Sequence, residues 1–469
     1  MNGSFEATIG LEIHVQLNTK TKLFCSCLRE TNNLPNINIC PICVGLPGVL
    51  PKPNKRAIIL AVKSSLLLNM KISRESFFER KNYFYPDLPK NYQISQYRIP
   101  LAENGHLELR NGKKIGIQRL HLEEDAGKMI HSEGGSYVDF SRSGIPLCEI
   151  VTKPDISSPD EAYEFLARLH RVLTWCDITE GNMEEGHIRC DVNVSVRPKG
   201  SEKLGTKVEI KNVNSFRFIK EALEYEIARQ IEKIRNGESI RQETRGYDPT
   251  TKKTFIMREK EFAHDYRYFP EPDLLPIIID DYLIEEVRRE IPELPDSKKK
   301  RFEEEYKLSE YSSEILTSQR ILSELFEDLG NKFDDKKLVA NFILEEILRS
   351  VNEGLCDLKR DYIKIRESAE EILLSQTKGE LTRNLAKEAF REVIEGKADI
   401  HSAINKRKIK TESSEIEQAV EKVLQNNPKE VQRYKGGEKK LLGFFIGEVV
   451  KIIKADPKLI REIIQRKLG

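Results

Sequence analysis

A chain of 469 residues is about three times a typical domain, so two or three domains with a core that needs no staples are expected. Charge nearly cancels, with 77 Lys+Arg against 76 Asp+Glu for a net +1, and the composition excludes a disordered or fibrous chain. The 33% of charged residues exceeds the usual ~25%, in the direction of heat-adapted proteins.

The charge is unevenly spread. Residues 401 to 469 hold 16 basic and 9 acidic side chains, a net +7, which leaves −6 for residues 1 to 400. A basic end on a slightly acidic body suits a polyanionic partner. No apolar run approaches the roughly 18 residues of a membrane span, and Met1 to Phe5 has no basic segment leading into an apolar one. The expectation is a soluble, unexported, cytoplasmic protein with no membrane partner.

The first predicted strand, Ala7 to Gln16, carries Glu12 and His14 two residues apart, so both side chains leave one face. A carboxylate beside an imidazole is either a buried ion pair or the start of a metal site. Four of the eight cysteines follow within nineteen residues: Cys25, Cys27, Cys40 and Cys43. C-x-C and C-x-x-C pairs, with Pro41 presetting the second turn, suit four thiolates converging on a closed, structural zinc ion. Two pairs of buried thiols would leave that spacing unexplained. Cys148, Cys176, Cys190 and Cys356 stand singly and are expected as small buried hydrophobes.

Lys55 to Leu68 reads as a helix. Arg80 to Gln93 then interleaves aromatics, cations and prolines without periodicity. That suits a rigid loop offering stacking faces and phosphate contacts, or a hydrophobic plug. Lys114 to Leu122 is a strand running into His121, Glu123, Glu124 and Asp125, followed by Ala126-Gly127-Lys128. Three consecutive acids can be a solvated face, but Gly127 would let backbone approach a ligand and Lys128 would supply a point charge for phosphate. After a strand at Gly135 to Asp139 comes a third polar group, Asp139, Arg142, Ser143, Gly144 and Glu149. Carboxylates from several strands with Lys and Arg nearby are how Mg2+ and nucleotide phosphates are held together.

Ser158 to Cys176 and Ser215 to Asn236 are predicted helices, with strands at Asp191 to Arg197 and Lys207 to Ile210 between them. Glu184, Glu185, Arg189, Asp191, Asn193 and Ser195, then Glu209, Lys211, Asn212, Asn214 and Ser215, are numerous enough to argue for a site rather than a wet strand face. Gly200 to Lys207 has the glycine spacing of a P-loop but ends in Thr206-Lys207, the inverted order, and follows Pro198. With no G-x-G-x-x-G either, an ATP site must be of an uncommon type. Asp265 to Asp273 is a second proline-held mixture of aromatics and charge.

Beyond Pro292 to Asp296 the texture turns helical, with a second break near Gly396 to Ile404. The expected architecture is an α+β domain (1–292), an all-α helical domain (293–400) and a small basic helical tail domain (401–469). In the tail, Gly443 and Gly447 lie four apart in a helical stretch after Lys435, Lys439 and Lys440. Glycines so spaced open a groove for another helix, or, with lysines beside them, for an RNA backbone.

Six blocks resemble a known family. They are Gly10 to Leu17, Arg80 to Asp87, Arg119 to Lys128, Met183 to Asn193, Val208 to Phe216 and Asp265 to Asp273. Together they are similar to the B subunits of bacterial aspartyl/glutamyl-tRNA(Asn/Gln) amidotransferases over essentially the whole chain. The archaeal E-type relatives carry a large insertion for which this chain has no room. The resemblance implies a cradle-shaped α+β domain, a helical domain and a tRNA-binding tail that uses Lys435, Lys439, Lys440, Gly443 and Gly447. It implies phosphoryl transfer from ATP to the side-chain carboxylate of Glu or Asp misacylated on tRNA(Gln) or tRNA(Asn), then displacement of phosphate by ammonia.

By the same resemblance Glu12, His14, Glu124 and Glu149 are the catalytic and Mg2+-binding set; whether Glu123 or Glu124 turns inward is a matter of one-residue register. Lys81, Tyr83, Lys128, Ser143, Arg189 and Lys211 are implied contacts for nucleotide, phosphate and the aminoacyl end. Cys25, Cys27, Cys40 and Cys43 match a structural zinc knuckle found in some members. No Ser-Ser-Lys amidase signature or Cys-His glutaminase pair is evident, so the glutaminase subunit and the small clamp subunit of the amidotransferase family are implied partners. Two rivals remain at this stage: a non-catalytic tRNA-binding scaffold, and an ATP-dependent ligase of a small carboxylate, which gives the +7 tail no purpose.

Overall fold

The computed structural model describes residues 4–30, 34–259, 265–409, 413–453, 455 and 457–469. Two units separate by contacts, Met1–Leu294 and Pro295–Gly469. The first contains strands β1 (Phe5–Gln16), β2 (Lys71–Ile72), β3 (Glu75–Ser76), β4 (Glu79–Asn82), β5 (Tyr92–Ser95), β6 (Ala102–Glu108), β7 (Lys114–Glu124) and β8 (Lys128–Ser132). It continues with β9 (Gly135–Asp139), β10 (Pro146–Thr152), β11 (Ile188–Pro198), β12 (Val208–Val213), β13 (Glu243–Asp248), β14 (Lys253–Glu259), β15 (Phe269–Pro270) and β16 (Ile277–Ile278).

Nine of these form one sheet in the order β14-β13-β12-β11-β1-β10-β7-β6-β2. Only the β12/β13 pair in it is parallel. β1 lies in the middle, antiparallel to β10 and β11. Its sequence decides which way it faces: Ile9, Leu11, Ile13 and Val15 are buried on one side, while Glu12 and His14 leave the other.

The apolar side is covered by helices α1 (Lys55–Leu67), α2 (Pro159–Trp175) and α3 (Phe216–Arg235), whose Leu60, Phe165, Leu169, Leu173, Ile219 and Leu223 join the strand residues in one core. The helix starts are set locally. Asn54 accepts from the backbone N–H groups of Arg56 and Ala57 ahead of α1, and Ser158 caps α2 before Pro159 and two acidic residues of the first turn. Each such cap stabilises its helix by about 1 kcal/mol. Among the described residues the polar side of the sheet has no comparable helical layer, and it carries the candidate site.

The Arg80 to Gln93 stretch, expected as an aperiodic loop, is strand at both ends: β4 and β5 pair antiparallel, and β15 adds to β4 through Phe269 opposite Arg80. Arg80 forks onto the buried Glu271 carboxylate (2.7 and 2.8 Å) and lies over the Tyr92 ring. These contacts join the two aromatic stretches of the sequence into one small sheet.

The second unit is helical, as the texture after residue 292 predicts. One core runs from Phe302 to Ile404 and another from Ile416 to Ile464. The stretch expected as a break, Gly396 to Ile404, holds a short helix (Ile400–Asn405) whose Ala403 and Ile404 pack into the first of these cores. Among the described residues no helix is long and apolar enough to cross a membrane.

Candidate active site

Three strands bring the cluster together. Along one row of the sheet His14 on β1 stands opposite Glu149 on β10, and Glu149 opposite His121 on β7. Glu123 lies two residues further along β7 and so on the same face. His14 Nε2 is 3.4 Å from Glu123 Oε1 and 3.3 Å from Glu149 Oε2. His121 Nε2 is 3.6 Å from Glu123 Oε2 and 3.4 Å from Glu149 Oε2. His14, Glu123 and Glu149 present ligand atoms all within 4.8 Å of one another, the spacing of a cation site.

The electrostatics follow from that packing. Burial pulls the His14 pKa down, but hydrogen bonding and charge from Glu123 and Glu149 outweigh it and raise it to about 10. His121 is raised by the same two carboxylates against its burial. Burial alone would raise Glu123 and Glu149, yet the imidazoles hold both below the ordinary carboxylate range. A divalent ion held by these residues would take the place of the His14 proton.

The predicted set needs one correction. Glu124, expected inward, turns to the opposite side of β7, where its Oε1 accepts from Ile94 N (2.9 Å) and pairs with Lys90. There it lines a cavity of about 210 Å3 with Cys43, Tyr92 and Lys90. The reason is the pleat: Leu122 is committed to the core, so Glu123 must face the site and Glu124 cannot. Glu12 shares His14's face but stands opposite Val151 on β10, so no carboxylate meets it there. It accepts instead from Asn193 Nδ2 (2.9 Å) on β11, beside rather than within the cluster.

Around the cluster, Arg189 is the register partner of His14 and is held by Asp125 (2.8 Å), to which Arg142 also reaches (3.3 Å). Lys211 Nζ lies 2.6 Å from Asp191 and 3.5 Å from Glu209. Burial lowers the Lys211 pKa, but these carboxylates, Asp191 first, raise it overall and keep the ammonium charged. Tyr83 is pushed up by burial and by nearby Asp87 and Glu123, and its ring meets Tyr266 edge-on. Lys81 caps the same Tyr266 ring at 5.0 Å.

Two expectations fail here for steric reasons. Ser143, predicted to meet phosphate, is buried and donates to the Cys43 carbonyl (3.1 Å), tying the cysteine loop to the body. Gly127 is no ligand approach either, since a Cβ there would meet Phe140 and the Asp139 and Asp87 carbonyls at 3.0 to 3.1 Å. Lys128 is exposed on the β8–β9 hairpin, paired in register with Asp139. Sequence reasoning missed Tyr97 and Arg119. Tyr97 stacks on Tyr268 (4.2 Å, 9° between planes), Arg119 lies over Tyr97, and the charges of Glu123 and Glu149 reach Tyr268 and help burial raise its pKa. Tyr97 has no sequence signal because it enters through its contact with the distant 265–273 segment, and Arg119, though it opens one of the six blocks, enters only through Tyr97.

The four cysteines converge. Cys43 Sγ lies 3.8, 3.7 and 3.6 Å from the sulfurs of Cys25, Cys27 and Cys40. A tetrahedron with Zn–S of about 2.3 Å has edges of about 3.8 Å, so the donor set fits zinc. Asn36 fastens the loop between the two cysteine pairs: its N–H donates to Asp139 (2.9 Å) and Ser141 (2.8 Å), and its Oδ1 accepts from Phe140 N (2.7 Å). Cys148, Cys176, Cys190 and Cys356 are buried, as expected.

In the tail, helix Leu441–Ile452 buries Phe445 and Val449. Gly443 and Gly447 are exposed, and among the described residues nothing lies within 4 Å of a Cβ added to either, so no helix of the described residues packs against them. Lys435, Lys439 and Lys440 are exposed just before them, Lys439 lying 4.4 Å over the Tyr434 ring.

The sheet with its carboxylate–imidazole cluster and the helical region that follows each match a known family. A family profile described as the GatB/GatE catalytic domain matches residues 7–285, and one described as the GatB domain matches residues 324–468. Curated relatives specify the branch, and three of them are B subunits of aspartyl/glutamyl-tRNA(Asn/Gln) amidotransferases. That of Thermodesulfovibrio yellowstonii is 50% identical over 468 residues, 98% of each chain. Those of Persephonella marina (48%) and Thermotoga petrophila (47%) align over 99% of each chain. The chain belongs to this family of amidotransferase B subunits.

Proposed function

We propose that this protein is the subunit of a glutamine-hydrolysing amidotransferase that converts misacylated Glu-tRNA(Gln), Asp-tRNA(Asn) or both into Gln-tRNA(Gln) and Asn-tRNA(Asn) at the expense of ATP. The observation that carries the reading is the convergence of His14, Glu123 and Glu149 on the polar side of the sheet. Those three residues would hold Mg2+, which supplies charge neutralisation for triphosphate oxygens. A free carboxylate is a poor acyl donor. An oxygen of the substrate side-chain carboxylate therefore attacks the γ-phosphorus and ADP departs; ammonia then attacks the activated acyl carbon, and phosphate leaves as the nitrogen loses a proton.

The chain's own residues position and neutralise. Arg189, oriented by Asp125, and Lys211, kept charged by Asp191 and Glu209, offer fixed cations beside the cluster for carboxylate or phosphate oxygens. Lys81, Tyr83, Tyr266 and Tyr268 form a wall suited to stacking a base or the terminal adenosine. Cys25, Cys27, Cys40 and Cys43 hold a structural zinc ion. The exposed Gly443/Gly447 face, with Lys435, Lys439 and Lys440, suits a tRNA backbone. The glutaminase subunit supplies ammonia, the small clamp subunit completes the complex, and the assembly works in the cytoplasm with the translation apparatus.

The test uses the three-subunit complex with ATP, Mg2+, glutamine and Glu-tRNA(Gln). His14→Ala and Glu123→Gln should abolish phosphate release and Gln-tRNA formation while tRNA binding persists. Normal amidation by both variants would place the chemistry elsewhere.

A further inference from the structure

His121 lies outside the three-ligand set, yet it is the most enclosed member of the row. Its side chain is 6% exposed, whereas that of His14 is 23% exposed, so His14 stands at the mouth and His121 at the floor. Among the described residues its Nδ1 is buried without a hydrogen-bond partner. Its polar contacts therefore run through Nε2, which points at the same carboxylates as His14 but at the other oxygen of Glu123. That oxygen, Oε2, has a second donor from the floor in Ser95 Oγ at 3.4 Å. Glu123 Oε1 is left to face His14.

We propose that His121 is a positioning residue for the cation site: with Ser95 it anchors the inner oxygen of Glu123, and it braces Glu149 across the strand pair, so that the remaining donors converge with His14. A carboxylate on a two-carbon stem has free rotations that binding would otherwise have to freeze, and a buried donor fixes them beforehand. Partners of this kind behind the ligands are worth about 10- to 100-fold in metal affinity. The inference rests on the cation reading above.

Mn2+ serves as the probe, its binding to the three-subunit complex followed by electron paramagnetic resonance without ATP. His121→Ala should weaken Mn2+ binding by about 10- to 100-fold. His121→Gln, whose amide N–H can reach where Nε2 sits, should recover most of that loss. KM for misacylated tRNA should be unchanged and thermal melting should show both variants folded. Mn2+ binding by His121→Ala equal to wild type would overturn the proposal, as would equal losses in the Ala and Gln variants, which would indicate packing rather than a donor. His14→Ala and Glu123→Gln are the reference arm. If these two bind Mn2+ normally, the cation reading itself falls and takes the inference with it; if they lose binding while His121→Ala does not, only the role of His121 is wrong.

Discussion

The two sides of the central sheet are made from the same strands and have opposite chemistry. On β1, Ile9, Leu11, Ile13 and Val15 belong to the core shared with α1, α2 and α3, while Glu12 and His14 project the other way. The helix-covered side gains from leaving water; the polar side holds four titratable groups whose protonation only their mutual contacts make tolerable. Packing and titratable chemistry thus lie one residue apart, and substitutions should separate them.

The largest effects belong to the polar side. Glu123→Gln should lower transamidation by on the order of 100-fold or more with little change in melting. Glu124→Gln should leave Mn2+ affinity unaltered, and an equal loss of Mn2+ in both variants would erase the distinction between the two faces of β7. The covered side should answer in the reverse sense: Ile13→Ala should cost about 2–5 kcal/mol in denaturant unfolding while the folded fraction keeps its cation affinity.

The cysteine loop touches both behaviours. Chelation or Cys43→Ser should remove zinc and lower the melting temperature, since Ser143, bonded to the Cys43 carbonyl, couples that loop to the strand carrying Glu149. Unchanged melting with the metal gone would make the zinc dispensable. Away from the sheet, Lys439→Ala and Lys440→Ala should each weaken tRNA binding and reduce its log–log salt slope by about 1, without changing turnover of bound substrate.

The smallest effect is a pH dependence on the covered side. Burial lowers the pKa of His170, on α2, so its neutral form is kept in the folded protein. The unfolded chain then binds more protons, and this contribution to stability is present above about pH 6.5 and lost as pH falls below it. His170→Gln should flatten that slope in urea melts; a slope unchanged in the variant would assign the titration to other groups.

Local spacing carried much of this protein. Alternation in Ala7 to Gln16 put Glu12 and His14 on one face, the paired cysteines gave the four-sulfur cluster, and the change of texture near residue 292 marked the helical half. These are properties of consecutive residues, where side-chain direction follows from a period of 2 or 3.6.

What the sequence left open depended on partners distant in the chain. Glu123 and Glu124 are chemically the same, and only the commitment of Leu122 to the core decides which of them meets His14. Glu12 missed the cluster because register put Val151 opposite it; Ser143 and Gly127 became packing elements because the cysteine loop and the Asp139 backbone close over them. His121, Tyr97 and Arg119 acquire meaning only beside Glu149 and Tyr268. The sequence by itself determined which chemical groups were available and which way each strand could face. Which groups meet was decided by strand pairing, because register is set by the summed burial of whole strands rather than by the residues that react.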